Sequence, residues 1–246
     1  CGEWRVHERV VSMWTCPSRD DSDTTTSTPA LHNTPPPPPP PSRPPRVLND
    51  EATAGLKEAL GEDLNSAVDW DGVVDAVHAG ADVMAVFDRD GGTLAGVVHA
   101  LYSSNPPPPL PVVRTLIEDG QAQLEWRSAG STLLHYASWH CSRDVLAYLV
   151  DKGLDPNAET IDGFGSLPIH LARSNVAGLR YYIEELSISP DVTDRRGETP
   201  LYWAAQVGSD DAVGYLVVNA RANIHAKNNV SAPSPPRSPS FVCMLT

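Results

Sequence analysis

Asp194-Arg195-Arg196-Gly197-Glu198-Thr199-Pro200-Leu201-Tyr202-Trp203-Ala204-Ala205-Gln206-Val207-Gly208 is the stretch that decides how this chain is read. Asp194 to Gly197 has the composition of a tight turn. Thr199-Pro200 then opens a helix: the threonine hydroxyl accepts from the orphan amides of the first turn, and proline takes the first helical position, where its missing N–H costs nothing. Gly208 ends that helix. Ala204 and Ala205 keep one side small enough for a second helix to lie close, and Asp211-Ala212-Val213-Gly214-Tyr215-Leu216-Val217-Val218 supplies it. One such unit cannot bury its own apolar face, so copies are expected.

Copies open at Gly130-Ser131-Thr132-Leu133-Leu134-His135-Tyr136-Ala137 and at Gly165-Ser166-Leu167-Pro168-Ile169-His170-Leu171-Ala172. Gly130 and Gly165 are 35 residues apart, and Gly165 and Gly197 are 32 apart. Second halves recur as well, in Val145-Leu146-Ala147-Tyr148-Leu149-Val150-Asp151-Lys152-Gly153-Leu154-Asp155-Pro156-Asn157 and earlier in His78-Ala79-Gly80-Ala81-Asp82-Val83. A period near 33 with a T-P-L-H-x-A-like start resembles the ankyrin repeat family, over roughly residues 51 to 228. The resemblance implies an all-α solenoid of about five helix-turn-helix repeats with short hairpin loops, built by stacking rather than around one central core.

Composition fits a folded array between tails. Of 246 residues, 24 are proline and only 3 are phenylalanine, so part of the chain is not core. Net charge is −13, and nearly all of it falls after Asp50. An acidic repeat region argues against nucleic-acid or anionic-membrane binding, which needs clustered Lys and Arg, and permits a basic partner. Cys1, Cys16, Cys141 and Cys243 are scattered without finger or disulfide spacing, which suggests free thiols in a reducing compartment. The resulting expectation is an intracellular protein, cytoplasmic or nuclear. No apolar run reaches the ~20 residues of a membrane span. Because the chain begins at Cys1 rather than Met, a missing signal peptide carries no weight.

Residues 1–49 form an expected disordered, proline-rich tail, residues 50–228 the repeat domain, and residues 229–246 a second disordered tail. The run Pro35 to Pro41 favours a polyproline II helix. Within it Pro38, Pro41 and Arg43, then Pro41, Pro44 and Arg46, form two overlapping P-x-x-P-x-R patterns. Such a tract suits an SH3-like or profilin-like binder, and equally a stiff spacer. Ser234-Pro235 and Ser238-Pro239 are candidate proline-directed phosphosites, and Asn157 stands where some ankyrin proteins are hydroxylated.

The first repeat is divergent, with Leu56, Ala59 and Leu60 on one helical face, then Val73, Val74 and Val77 before the Gly80 exit. The second, from about Asp88, is interrupted by a proline loop at 103–111 that must bulge between its two helices, because prolines cannot continue one. Leu94 lies at the family's proline position, and His99 takes the histidine role only after an insertion. The next repeats span 125–158, 159–191 and about 192–225. Leu167 replaces the capping threonine, at a cost of roughly 1 kcal/mol if nothing compensates. Leu133 replaces the opening proline, Tyr202 replaces the histidine, and Ser187 and Ala220 stand near the exit glycines. Val213, Leu216 and Val217 make the last helix apolar where a solenoid normally ends in a polar face, which suggests a truncated chain.

No catalytic motif, metal set or cofactor-binding turn is present in the sequence. His135, His140 and Cys141 form the densest cluster, but His135 and His170 fall on the family's turn-bracing histidine and Cys141 on its inter-helix glycine. Glu184 and Glu185, like Asp210 and Asp211, are neighbours in helices and splay apart. A non-enzymatic protein is expected, without metal or cofactor. The resemblance implies protein binding on a concave face of hairpin tips and first helices, as an adaptor or scaffold. The residues it assigns are Trp126, Arg127, Asp162, Phe164, Asp194, Arg195 and Arg196 at the tips, with Trp139, His140, Asn175 and Gln206 on first helices. Two alternatives remain open: the regulatory ankyrin portion of a longer enzyme or channel chain, and a degenerate array without a dedicated partner.

Overall fold

The computed structural model describes residues 47–61, 68–89, 92–102 and 106–229. After Val47 these all belong to the second of two units, Cys1–Val47 and Leu48–Thr246. The proline tract and both phosphosite candidates lie outside the described residues, as does the His99 side chain.

Helix α1 (Asp50–Ala59) starts where Asn49 Oδ1 accepts the amides of Glu51 and Ala52, at 2.9 and 3.3 Å. Asp69 caps α2 (Trp70–His78) in the same way through the Gly72 amide. Leu56, Leu60, Val73 and Val77 are fully buried between the two helices, as their spacing on helical faces requires. A hairpin of β1 (Val86–Arg89) and β2 (Gly92–Ala95) then leads into α3 (Gly96–Tyr102). Leu94 therefore sits in a strand, and the helix starts at Gly96 rather than at Leu94. Pairing of the two tip strands delays it.

Pro106 to Pro109 precede α4 (Leu110–Arg114), which begins inside the expected loop, with Pro109 as its cap and Pro111 in its first turn. Proline is tolerated there because those amides have no helical acceptor. A second hairpin, β3 (Arg127–Ser128) with β4 (Ser131–Thr132), is closed by Ala129 and Gly130 at φ +45° and +82°. Two successive positive φ values make the tight turn that matches strand twist. The remaining helices pair as α5 (Leu133–Ser138) with α6 (Arg143–Asp151), α7 (Pro168–Leu171) with α8 (Val176–Arg180), and α9 (Pro200–Val207) with α10 (Asp210–Gly214). First helices α3, α5, α7 and α9 pack in succession, and second helices form the other layer. The helical repeat fold is as expected, with two small hairpins added at the tips.

The second helices are of two kinds. α2 and α6 end on four-residue hydrogen bonds, and the residues that follow are Gly80 and Gly153, at φ +100° and +102°. α4, α8 and α10 instead run on in wider π geometry over Thr115–Asp119, Tyr181–Glu185 and Tyr215–Asn219. Gly120, Leu186 and Ala220 donate five residues back, at 2.8, 3.1 and 3.0 Å. That extra residue pushes the left-handed exit onto Gln121, Ser187 and Arg221, at φ +53°, +56° and +57°. Arg221, not Ala220, holds the exit position of the last repeat. Each non-glycine there costs on the order of 1 kcal/mol.

The decisive stretch folds as its residues dictate. Thr199 Oγ1 accepts the Tyr202 amide, Pro200 is the first residue of α9, and Gly208 ends it at φ +73°. Ala204 and Ala205 are buried against neighbouring helices. The apolar last helix faces inward: Val213 and Leu216 are buried and Val217 packs on the core, while Val218 is 66% exposed.

Candidate functional site

The tips are tied to one another by backbone. Ile161 donates to the Gly130 carbonyl (3.1 Å), Arg195 to Phe164 (3.0 Å) and Asn229 to Arg196 (2.7 Å). Each tip aspartate folds its own turn: Asp162 Oδ1 accepts from the Thr160 hydroxyl and the Phe164 amide, and Asp194 Oδ1 from the amides of Arg196 and Glu198. Beneath the tips, His135 Nδ1 accepts the Thr132 amide while Nε2 reaches the Ser166 carbonyl of the next repeat at 2.9 Å. His170 repeats this between the Leu167 amide (3.0 Å) and the Val192 carbonyl (3.2 Å). A carbonyl only accepts, so Nε2 carries the proton and Nδ1 is free to accept. No hydroxyl caps the helix at Leu167, and the His170 amide donates to the Leu167 carbonyl instead, at 2.9 Å. Burial outweighs the Ser166 hydrogen bond and depresses His135 to about 4, and burial also lowers His170.

Along the first helices runs a second connected row. Tyr102 meets Trp139 edge-on at 5.4 Å, and the Arg173 guanidinium lies 4.1 Å over the Trp139 ring and 5.6 Å from that of Trp203. Trp203 in turn leans on His170, with ring centres 6.3 Å apart. All four side chains of the row are half-buried. Arg173 makes no hydrogen bond and no ion pair with any described residue. Burial lowers its pKa, opposed by Tyr102 alone. The enclosed Trp203 indole N–H has no acceptor among the described residues either.

The sequence profile of the ankyrin repeat matches residues 129–161 and 196–229. The chain carries ankyrin repeats. Among its relatives, Palmitoyltransferase AKR1 of Lachancea kluyveri is 30% identical over 121 residues, covering 48% of this chain and 16% of that protein. The BTB/POZ domain and ankyrin repeat-containing protein NH5.1 of Oryza sativa subsp. japonica is 31% identical over 117 residues, covering 41% of this chain and 24% of that protein. Regulatory protein NPR6 of Arabidopsis thaliana is 40% identical over 60 residues, covering 24% of this chain and 13% of that protein. The chain therefore spans under a quarter of the length of each. Ankyrin repeats in general serve as protein-interaction modules.

The ankyrin array holds the expected binding residues in unlike settings. Trp139 belongs to the aromatic row, and His140 is half-buried beside it in sequence. Gln206 is exposed at the end of α9. Trp126 packs partly on the core, and Arg127 is exposed while its Nη1 donates to the carbonyls of Gly130 and Glu159. Arg195 pairs with Glu159 at 2.8 Å and lies against Gly165, where any Cβ would meet its side chain. Arg196 stacks 4.2 Å over Phe164 and pairs with Glu198 at 2.9 Å. Asn175 caps α8 through the Gly178 amide and donates to the carbonyls of Ser138 and Cys141 in the preceding repeat. Asn175 is thus committed to tying two repeats together, and Asp194 to folding its own tip turn.

Arg173 and Trp203 escaped the sequence reading, although a signal existed. Ala137-Ser138 and Ala204-Ala205 place two small residues in the first helix, but the corresponding pair in the fourth repeat is Ala172-Arg173. Ala137 and Ala204 each precede the next N-cap by five residues, whereas Ala172 precedes Asn175 by three. That deletion shortens α7 to Pro168–Leu171, so Arg173 leaves the helix instead of being buried as Ser138 and Ala205 are.

The reactive candidates are occupied otherwise. Cys141 is buried, its thiol pushed up to about 12 by desolvation and directed at the Leu101 carbonyl. Such a thiol is not a nucleophile at neutral pH. Glu184 accepts the Tyr215 hydroxyl at 3.0 Å while Glu185 pairs with Arg143, so the adjacent carboxylates diverge. Among the described residues no His, Cys, Asp and Glu cluster has the makings of a metal site. No described helix is long and apolar enough to cross a membrane.

Proposed function

We propose that the array is a non-catalytic adaptor or scaffold module that binds a protein partner along its first helices and hairpin tips. One observation carries this reading. Trp139, Trp203 and Arg173 form a connected, half-buried row on the first-helix side, and large aromatics with arginine are the side chains that dominate protein interfaces. The tip charges Arg195 and Arg196 are already paired within the chain, so they contribute at the rim rather than as anchors.

The test is capture from cell extract on immobilised full chain, followed by rebinding of the purified captured protein. Trp139→Ala together with Trp203→Ala is expected to weaken rebinding roughly tenfold or more, and Arg143→Ala on the second-helix side leaves it unchanged. Equal rebinding by all variants overturns the reading.

A second reading rests on the relatives. Palmitoyltransferase AKR1 and NH5.1 are several times longer than their matching segments, which supports an ankyrin portion regulating activity that resides elsewhere in a longer chain. Coding sequence in frame beyond either end tests it.

A further inference from the structure

We propose that Arg173, clamped between Trp139 and Trp203, receives the carboxylate of an aspartate or glutamate side chain presented by the protein partner. This deepens the binding reading above and rests on it. Guanidinium is flat: its two faces stack on rings, and its N–H groups point outward in the plane. The stack over Trp139 at 4.1 Å occupies a face and leaves the edge of five donors unanswered. Half-burying a cation strips its hydration, and ring contact restores only part of what is lost. The missing element is a planar acceptor for the fork, and a carboxylate matches it with two parallel hydrogen bonds.

The same molecule contains a stacked arginine with an acid in place. Among described residues with a described side chain, the half-buried cations are Arg173 and Arg196. Arg196 also lies over an aromatic ring, Phe164, at 4.2 Å, and its Nη2 meets Glu198 at 2.9 Å, while its Nε has no acceptor among the described residues. Arg173 has the ring and lacks the acid. The shortage is not one of supply, because the chain has 31 acidic residues against 18 basic ones. None of the described carboxylates reaches Arg173, so the described array leaves its fork open to an acid that a partner brings. The net acidity of the chain acts at long range and still favours basic surroundings on the partner, whereas the contact at Arg173 is local. Trp139 and Trp203 on either side suit an apolar residue next to the acid.

Random peptides displayed on phage, selected against the full chain, provide the probe, and enriched peptides are then synthesised and titrated. The expected peptides share an Asp or Glu beside an aromatic or aliphatic residue. Changing that acid to its amide weakens binding roughly tenfold. Arg173→Gln causes the same loss, and the two losses do not add. Arg173→Lys, which keeps the charge and loses the planar fork, recovers only part. The substitution in the peptide leaves the protein untouched, so misfolding cannot imitate the result. Peptides that need Trp139 and Trp203 but ignore both Arg173 and their own acids overturn this inference and leave the binding surface standing. A selection in which nothing binds the first-helix face overturns both.

Discussion

On the second-helix side, Tyr148 gives its hydroxyl to Glu118 at 2.9 Å with Arg114 over its ring, and Tyr215 gives its own to Glu184 at 3.0 Å with Arg180 over its ring. The second-helix segments of the second and fourth repeats thus grip the next repeat's tyrosine with the same Arg-x-x-x-Glu pair. On the first-helix side, Tyr102, Trp139 and Trp203 carry Arg173, and no described carboxylate closes the set. Both rows link successive repeats through aromatic rings and arginine. One is complete among the described residues and the other is not. Contacts complete within the chain stiffen the stack, and an incomplete set at a half-buried position is where an outside group gains most.

The floor shared by both rows gives the largest expected effect. Tyr182 is fully buried and donates to Ser138 Oγ, whose own hydrogen is given to Leu134, with both distances 2.6 Å. Tyr182→Ala is expected to cost about 4 kcal/mol by opening a cavity between the third and fourth repeats. Tyr182→Phe is expected to cost about 1 kcal/mol for the lost hydrogen bond. Urea unfolding measures both. Hydrogen exchange after Tyr182→Ala that loosens only one layer of helices would show that the two rows do not share this support.

Acid comes next. His135 is depressed from 6.5 to about 4, and both of its ring nitrogens are engaged in the neutral form. Between those values the unfolded chain binds the proton that the folded one refuses, so stability rises with pH across the window. The contribution is complete above about pH 6.5 and is lost as pH falls toward 4, up to about 3 kcal/mol. His170 shifts in the same direction. Unfolding midpoints measured from pH 7 to 4.5 check this, and His135→Gln flattens the slope. An unchanged midpoint across that range contradicts the brace.

The repeats themselves were readable because a helix start, an alanine pair and an exit recur together at Thr199-Pro200, Ala204-Ala205 and Gly208. Bracing by His135 and His170 followed from their place in that pattern. Arg173 was not readable as a site, since its position depends on a deletion that ends α7 early, and chain length between helices does not reveal where a side chain then points. That Glu159 and Glu198 answer Arg195 and Arg196, which were assigned to binding at the tips, was not readable, because these pairs come together only through the tip geometry. The π turns at the ends of three second helices were hidden for a similar reason. Hydrophobic spacing tolerates one extra residue, and only the positive φ at Gln121, Ser187 and Arg221 exposes it.

The two stacked arginines sharpen the comparison directly. Glu198 is 5% exposed, and its pKa is raised chiefly by burial while Arg196 pulls it down. Arg196→Gln removes that cation, leaves the carboxylate to the Asn228 side chain, and is expected to cost about 2 kcal/mol. Arg173→Gln strands nothing and is expected to change stability by under about 0.5 kcal/mol. Thermal or urea unfolding of the two variants side by side decides the matter. Equal losses would mean that Arg173 has an acidic partner within the chain after all.

The second-helix grip gives the smallest effect, for a physical reason. Lys152 and the Tyr148 hydroxyl hold Glu118 below the usual carboxylate range. The tyrosine rings are buried, but the Glu118 and Lys152 side chains are each 37% exposed, so water competes at the charged end and salt screens it. Tyr148→Phe and Tyr215→Phe each remove one hydroxyl and keep the ring under its arginine. Each is therefore expected to lower stability by at most about 0.5 kcal/mol, and less in high salt. Neither change touches the first-helix row, so partner binding stays as it was. A loss of binding from Tyr148→Phe would place part of the interface on the face whose contacts are already complete, and the division between the two rows would fail.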